Sequence, residues 1–326
     1  VCILILLFRI CKKNRKVSCK LYRRLAMLLC GNISTKKLNE GSGKVVCMMR
    51  YEVFDINIDY RKINVDNGGF QPKISVYLPD NSPEIQINRK HPTFVICPGG
   101  GYIGTSDREA EPIALRFAAA CCNAVVVRYS CVPARFPAAL FELSYAVAKV
   151  RENAQEWNVD TDRIAVCGFS AGGHLAASFS TLWNRDFVKE YFDYQGGENK
   201  PNGMILGYPV ITSGEHAHGG SIENLLGEKT ADPILLELVS AEKQVSSDTP
   251  PAFIWHTFDD ACVPVENSLV LAQALAKEKI STELHIYPKG PHGLALANEE
   301  TASGPLMIVS ECQSWIDMAI RWLKNL

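Results

Sequence analysis

The segment 163–177, R-I-A-V-C-G-F-S-A-G-G-H-L-A-A, restricts this chain more than any other. Ile164, Ala165, Val166 and Cys167 form a short run with no charge, which reads as a strand buried on both faces. Gly168-Phe169-Ser170-Ala171-Gly172 follows without a spacer, and Gly173-His174-Leu175-Ala176-Ala177 then opens a helix with small residues at its start. Strand, G-x-S-x-G turn and helix in that order place a serine at the apex of a sharp reversal, in a strained backbone conformation. Gly168 and Gly172 flank the apex because a Cβ at either position would collide with the adjoining strand or helix. Ser170 then projects above the sheet edge, over the positive end of the following helix. The competing reading is a glycine-rich turn with an idle serine, and the remaining segments decide between the two.

Those segments alternate. Residues 51–60 switch between apolar and polar, as a half-exposed strand does, and Asn67-Gly68-Gly69 followed by the strand-like 73–78 predicts a hairpin. Residues 79–92 are polar and loop-like. Residues 93–97 form a buried strand that runs into Pro98-Gly99-Gly100-Gly101-Tyr102. Three consecutive glycines are entropically costly, so they point to backbone N–H groups aimed where no side chain fits. After a buried strand and upstream of G-x-S-x-G, they fit an oxyanion loop better than a flexible turn or a phosphate loop. The dinucleotide pattern G-x-G-x-x-G fails, because Gly99, Gly101 and Gly104 are followed by no acidic residue at the right distance.

Helices are expected over 107–120, 137–157, 265–279 and 306–323, and further strands over 124–128, 204–208, 251–256 and 283–287. Residues 160–163 read as the turn into the serine strand. Residues 209–249 break the rhythm, with 232–240 helical, and read as a small cap insertion over the site. The alternation implies an α/β fold, a mostly parallel sheet with helices on both faces, whose sites form at the carboxyl ends of strands. The triglycine and Ser170 both fall at such ends. So do Phe258-Asp259-Asp260-Ala261-Cys262-Val263-Pro264 and Lys289-Gly290-Pro291-His292-Gly293. A carboxylate from the first loop can orient a histidine from the second, which in turn reaches Ser170. His174 lies one helical turn past Ser170, points away from the apex and reads as core. His216 and His218 form an H-x-H pair with no third ligand in view, and read as surface histidines, not a metal site.

The near-balanced charge of −1 gives no reason to expect nucleic acid, and 47% hydrophobic residues in 326 is an ordinary globular composition. The charge is unevenly spread: residues 1–47 carry a net +10, leaving −11 on 48–326. The apolar residues 1–8 are too short to span a bilayer, and the basic residues follow them instead of preceding them as in a secretory signal. Residues 1–47 are expected to stand apart from the fold, with a basic membrane-surface helix as the alternative, and 48–326 to form the catalytic domain. Five of the twelve cysteines lie in 1–47. The other seven form no C-x-x-C pair, which argues against zinc and fits a reducing, cytoplasmic setting.

With these motifs in order, the chain over about 50–326 resembles the α/β-hydrolase superfamily, whose members run nucleophile, acid, histidine along the sequence. C-P-G-G-G-Y, G-F-S-A-G-G-H-L-A, F-D-D-A-C-V-P and G-P-H-G are similar to the acetyl esterase and acetylxylan esterase branch, related to hormone-sensitive-lipase-like esterases. The resemblance implies Ser170 as nucleophile, His292 as general base and Asp260 as the acid that holds the imidazole. Asp259 is the alternative acid, and Asp260 is preferred because the family pattern sets the acid three residues before Val-Pro. It implies oxyanion donors at the N–H groups of Gly100, Gly101 and Ala171, and no metal or organic cofactor. Pro98 stands where the lipase-like relatives carry a histidine, which braces the loop and does no chemistry. The implied activity is hydrolysis of short acyl esters, acetyl above all, with acetylated xylan-derived saccharides as candidate substrates. A prolyl-oligopeptidase-type peptidase lacks the extra residues for its propeller here, and a non-catalytic binding protein is at odds with an intact set of three residues.

Overall fold

The computed structural model describes residues 49–326, so the expectations for 1–47 lie outside the described residues. Among the described residues eight strands form one sheet: β1 (Arg50–Asp55), β2 (Lys73–Leu78), β3 (His91–Cys97), β4 (Asn123–Arg128), β5 (Val159–Phe169), β6 (Gly203–Gly207), β7 (Ala252–Thr257) and β8 (Thr282–Tyr287). Their order is β1-β2-β4-β3-β5-β6-β7-β8. The β1–β2 and β2–β4 pairs are antiparallel and every other pair is parallel. The hairpin read from 51–60 and 73–78 is therefore present, and it supplies the antiparallel end of an otherwise parallel sheet.

Among the described residues eight α-helices accompany the strands: α1 (Glu111–Ala119), α2 (Ala138–Glu152), α3 (Ala171–Leu182), α4 (Asp186–Phe192), α5 (Gly219–Leu226), α6 (Pro233–Leu238), α7 (Glu266–Lys277) and α8 (Trp315–Lys324). None among the described residues is long and apolar enough to cross a membrane. Successive side chains on a strand point to opposite faces. Ile164 and Val166 of β5 accordingly join one core with α2, α3 and α7, while Ala165 and Cys167 join another with α1 and α8. That two-sided demand explains why the central strands carry no charge in their middles.

Several expected boundaries move: β1 stops at Asp55, short of residue 60, and α2 stops at Glu152, short of residue 157. Three further shifts have a visible cause. Residues 160–163, read as a turn, belong to β5, whose register against β3 slips between His91↔Val159 and Thr93↔Ile164. An irregularity in the ladder absorbs the polar residues that looked like a turn. The helix expected over 107–120 starts at Glu111, because Asp107 pairs with Arg128 at 2.7 Å and Glu109 is drawn inward. The closing helix starts at Trp315 instead of 306. Before it, the Val309 N–H donates to the Ala297 carbonyl at 3.0 Å, and the Trp315 indole N–H donates to the Ala295 carbonyl at 2.8 Å. These bonds pin the preceding stretch to the segment that follows His292.

Candidate active site

Ser170 stands at the junction of β5 and α3 with φ 53° and ψ −122°. This is the left-handed side of backbone space, which a non-glycine residue holds only when its surroundings enforce it. The flanking glycines show the enforcement. A Cβ on Gly168 would lie 2.1 Å from the Gly172 carbonyl oxygen, and one on Gly172 would lie 2.1 Å from the Cys97 and 2.4 Å from the Pro98 carbonyl oxygens. The Ser170 N–H donates to the Gly207 carbonyl at 3.1 Å, and its carbonyl accepts the N–H groups of Val210 and His174 at 3.0 Å each. The reversal is thereby clamped between two central strands.

Three strand ends converge on it. His292, beyond β8, places Nε2 2.8 Å from the Ser170 hydroxyl oxygen and Nδ1 2.7 Å from Oδ2 of Asp260, beyond β7. With Nδ1 protonated, the imidazole donates to the carboxylate and accepts the serine proton. Asp260 also accepts the N–H groups of Cys262 at 2.9 Å and Val263 at 3.0 Å through Oδ1. Burial works to raise its carboxyl, but hydrogen bonds from His256, His292 and Val263 outweigh it and hold the group well below the usual carboxylate range. It is Asp260 that reaches His292. Asp259 instead accepts the Gly290 N–H at 2.7 Å, and so braces the histidine loop.

The glycine loop lies on the other side of Ser170. Gly100 and Gly101 have φ of 137° and 63°, conformations open to glycine, and a Cβ on Gly100 would lie 2.2 Å from the Gly104 carbonyl oxygen. The N–H groups of Gly100, Gly101 and Ala171 have no hydrogen-bond acceptor among the described residues. Unused donors beside a nucleophile, at the N-terminus of α3, are suited to receiving negative charge. The loop is held from outside: the Tyr129 hydroxyl donates to the Pro98 carbonyl at 2.6 Å and the Asn224 amide of α5 to the Gly101 carbonyl at 2.9 Å.

His174 is buried, as expected. Its Nε2–H donates to the Val239 carbonyl at 2.7 Å and its Nδ1 accepts the Tyr102 hydroxyl at 2.8 Å. Burial brings its imidazole down to about 4, so it is neutral. Of the H-x-H pair, both residues are half-buried; His218 turns toward the site, with Nδ1 2.8 Å from the Ser221 hydroxyl and Nε2 3.6 Å from the Cys262 sulfur. Burial and the neighbouring His292 charge lower its imidazole. Among the described residues no three His, Cys, Asp or Glu side chains gather as a metal site would need. Sequence reading passed over Glu109, Tyr208 and His256, all buried around the site. Glu109 looked like an ordinary acid ahead of a helix, and Tyr208 like the end of a strand. Only the burial of a lone carboxylate, invisible in one sequence, marks them.

Comparison with known proteins identifies the family. The BD-FAE family model matches residues 74–275. Endo-1,4-beta-xylanase B of Butyrivibrio fibrisolvens is 38% identical over 243 residues, 72% of this chain and 36% of that protein. Acetylxylan esterase of Xylanibacter ruminicola is 38% identical over 148 residues, 44% of this chain and 28% of that protein. The chain thus spans about a third of the length of these curated relatives. The crystal structure of an acetyl ester-xyloside bifunctional hydrolase from Caldicellulosiruptor lactoaceticus superposes with a TM-score of 0.72 at 35% identity, covering 87% of this chain and 98% of that one. On the fold, the matched residues and this likeness, the chain belongs to the BD-FAE family, in the esterase branch of the α/β-hydrolases.

Proposed function

We propose that this protein is a serine carboxylic ester hydrolase for short acyl groups, acetyl first, and that acetylated xylan-derived saccharides are its substrates. The observation that carries the reading is the continuous line Ser170–His292–Asp260, with three N–H groups of the adjoining turns left without an acceptor among the described residues. An acetylxylan esterase and an acetyl ester-xyloside hydrolase among the relatives support the choice of acyl group and alcohol.

The geometry supports the following course. The Ser170 oxygen attacks the ester carbonyl carbon while its proton passes to His292 Nε2. The carbonyl oxygen becomes an oxyanion and takes hydrogen bonds from the N–H groups of Gly100, Gly101 and Ala171, each worth about 3 kcal/mol in such a site. Asp260 stabilises the imidazolium. Collapse of the tetrahedral species breaks the bond to the alkoxy oxygen, which leaves as the alcohol with the proton from Nε2, and an acyl-Ser170 remains. Water then gives a proton to Nε2 and attacks the acyl carbon, and the carboxylic acid departs as Ser170 recovers its hydrogen.

The test is hydrolysis of a 4-nitrophenyl ester series from acetate to octanoate by wild type and Ser170→Ala, followed by acetylated xylo-oligosaccharides. Turnover that falls steeply beyond butyrate and vanishes in Ser170→Ala supports the reading. Preference for long chains points to a lipase, and no serine-dependent turnover on any ester refutes the proposal.

A further inference from the structure

A carboxylate that this reaction does not use lies behind the nucleophile. Glu109 is 3% exposed. Its Oε2 accepts the Gly99 N–H at 2.7 Å and its Oε1 accepts the Tyr208 hydroxyl at 2.7 Å. The Tyr208 oxygen in turn accepts the Ala295 N–H at 2.9 Å, and its ring stands edge-on to the His292 imidazole with centroids 5.0 Å apart. A Cβ placed on Gly99 would fall 2.8 Å from Glu109 Oε2 and 2.9 Å from Ser170 Cβ, so the carboxylate, the start of the glycine loop and the nucleophile are packed together. The preceding residue reaches the same histidine loop, since Arg108 Nη1 donates to the Gly293 carbonyl at 3.0 Å.

We propose that Glu109 is a positioning residue which, through Tyr208, forms a buried strut fixing the distance between the glycine loop and the His292 loop. Burying a carboxylate with hydroxyl and amide partners, and no cation in contact among the described residues, is costly, and an apolar pair of similar size would pack with less penalty. What an apolar pair lacks is direction. Two acceptor oxygens at fixed separation hold the Gly99 N–H of one loop and the Tyr208 hydroxyl, whose oxygen in turn takes the Ala295 N–H of the other. Burial raises the Glu109 carboxyl, while the Tyr208 hydroxyl and the Gly99 N–H offset part of that rise and favour the ionised, doubly accepting form. The strut acts on the mutual alignment of the N–H donors and the imidazole, which matters in the transition state and little in substrate binding.

The kinetic consequence rests on the ester-hydrolase reading; the strut itself does not. The experiment compares the full chain with Glu109→Gln, Tyr208→Phe and the double variant. Gln keeps an oxygen for the Gly99 N–H and sets an N–H₂ against the Tyr208 oxygen, so the Tyr208 hydroxyl hydrogen loses its buried acceptor; Phe keeps the ring against His292 and removes only the hydroxyl. The strut predicts that Glu109→Gln lowers kcat for 4-nitrophenyl acetate by about 30-fold or more with KM within about threefold. Tyr208→Phe lowers kcat less, and the double variant is no worse than Glu109→Gln. Amide hydrogen exchange accelerates in 98–105 and 290–297 together. Unchanged kcat in Tyr208→Phe, fully additive losses, or faster exchange in only one of the two loops overturns the strut. If Glu109→Gln does not fold, Tyr208→Phe carries the test alone. Absence of Ser170-dependent ester turnover in wild type removes the esterase reading, and the exchange measurement still decides the strut.

Discussion

Replacing Asp260 by Asn probes the whole site through one atom. The carboxylate has two occupied sides: Oδ1 accepts two backbone N–H groups, from Cys262 and Val263, and Oδ2 faces Nδ1 of His292. Asn offers one oxygen and one N–H₂. Two fixed backbone donors hold the oxygen on the Oδ1 side, since the reverse orientation would set N–H against N–H twice. The amide N–H₂ then points at Nδ1 and donates to it, which moves the imidazole proton to Nε2. An Nε2–H cannot take the Ser170 proton, so the general base is switched off with little change in position. The loss expected for a wrong tautomer is about 10⁴ in kcat, equivalent to about 5 kcal/mol of transition-state stabilisation. Asp259→Asn, by contrast, alters only the brace on Gly290 at 2.7 Å, and a single charge-assisted hydrogen bond of about 1.5–3 kcal/mol bounds the destabilisation of that loop. The assay is steady-state hydrolysis of 4-nitrophenyl acetate at pH 7.5, with folding of each variant checked by circular dichroism. Asp260→Asn retaining more than a tenth of wild-type kcat, or Asp259→Asn losing as much as Asp260→Asn, would refute the reasoning.

Two further outcomes concern stability. Gly172→Ala forces a Cβ to within 2.1–2.4 Å of two backbone carbonyl oxygens that no rotamer change can move, so overpacking of about 1–3 kcal/mol or more is expected; a melting temperature within 1 °C of wild type, roughly half the smallest shift that cost implies, contradicts it. His174 has a folded-state imidazole lowered to about 4, below its unfolded value near 6.5, so the folded protein binds fewer protons and stability declines as pH drops through that interval. Urea unfolding of wild type should lose about 3 kcal/mol from this residue between pH 7 and pH 4, and His174→Gln, which keeps one donor and one acceptor, should lose correspondingly less over the same range. Equal losses would show that His174 is not the group responsible.

The order of elements was legible because each buried strand must be apolar on both faces, and Ile164–Cys167 or Met204–Leu206 leave no other reading. The strand ends followed from glycine and proline: Gly99–Gly101, Gly168, Gly172 and the Gly290–Pro291 pair punctuate the chain where its backbone departs from the sheet. Ser170, His292 and the pair Asp259–Asp260 stood out for the same reason. What could not be read depends on contacts distant in sequence. Whether Asp259 or Asp260 meets His292 is set by the path of the chain after Thr257. The late start of α8 is set by bonds to Ala295 and Ala297. Glu109 carries no local signal, since its partners lie at Gly99 and Tyr208. His218 faces the site only because the segment between β6 and β7 folds back over the glycine loop, where Asn224 meets Gly101.

The clamp on Ser170 has a consequence for how the protein fails. Its N–H is tied to Gly207 and its carbonyl to Val210, so the serine cannot leave its left-handed conformation until β5 and β6 separate. Those strands lie in the interior of the sheet, four and two positions from its ends. A softened, still-folded but inert species therefore has no structural route at this residue. Heat or denaturant should release the Ser170 backbone only in the event that parts β5 from β6, so its left-handed conformation outlasts any loosening of the His292 loop at the edge of the sheet.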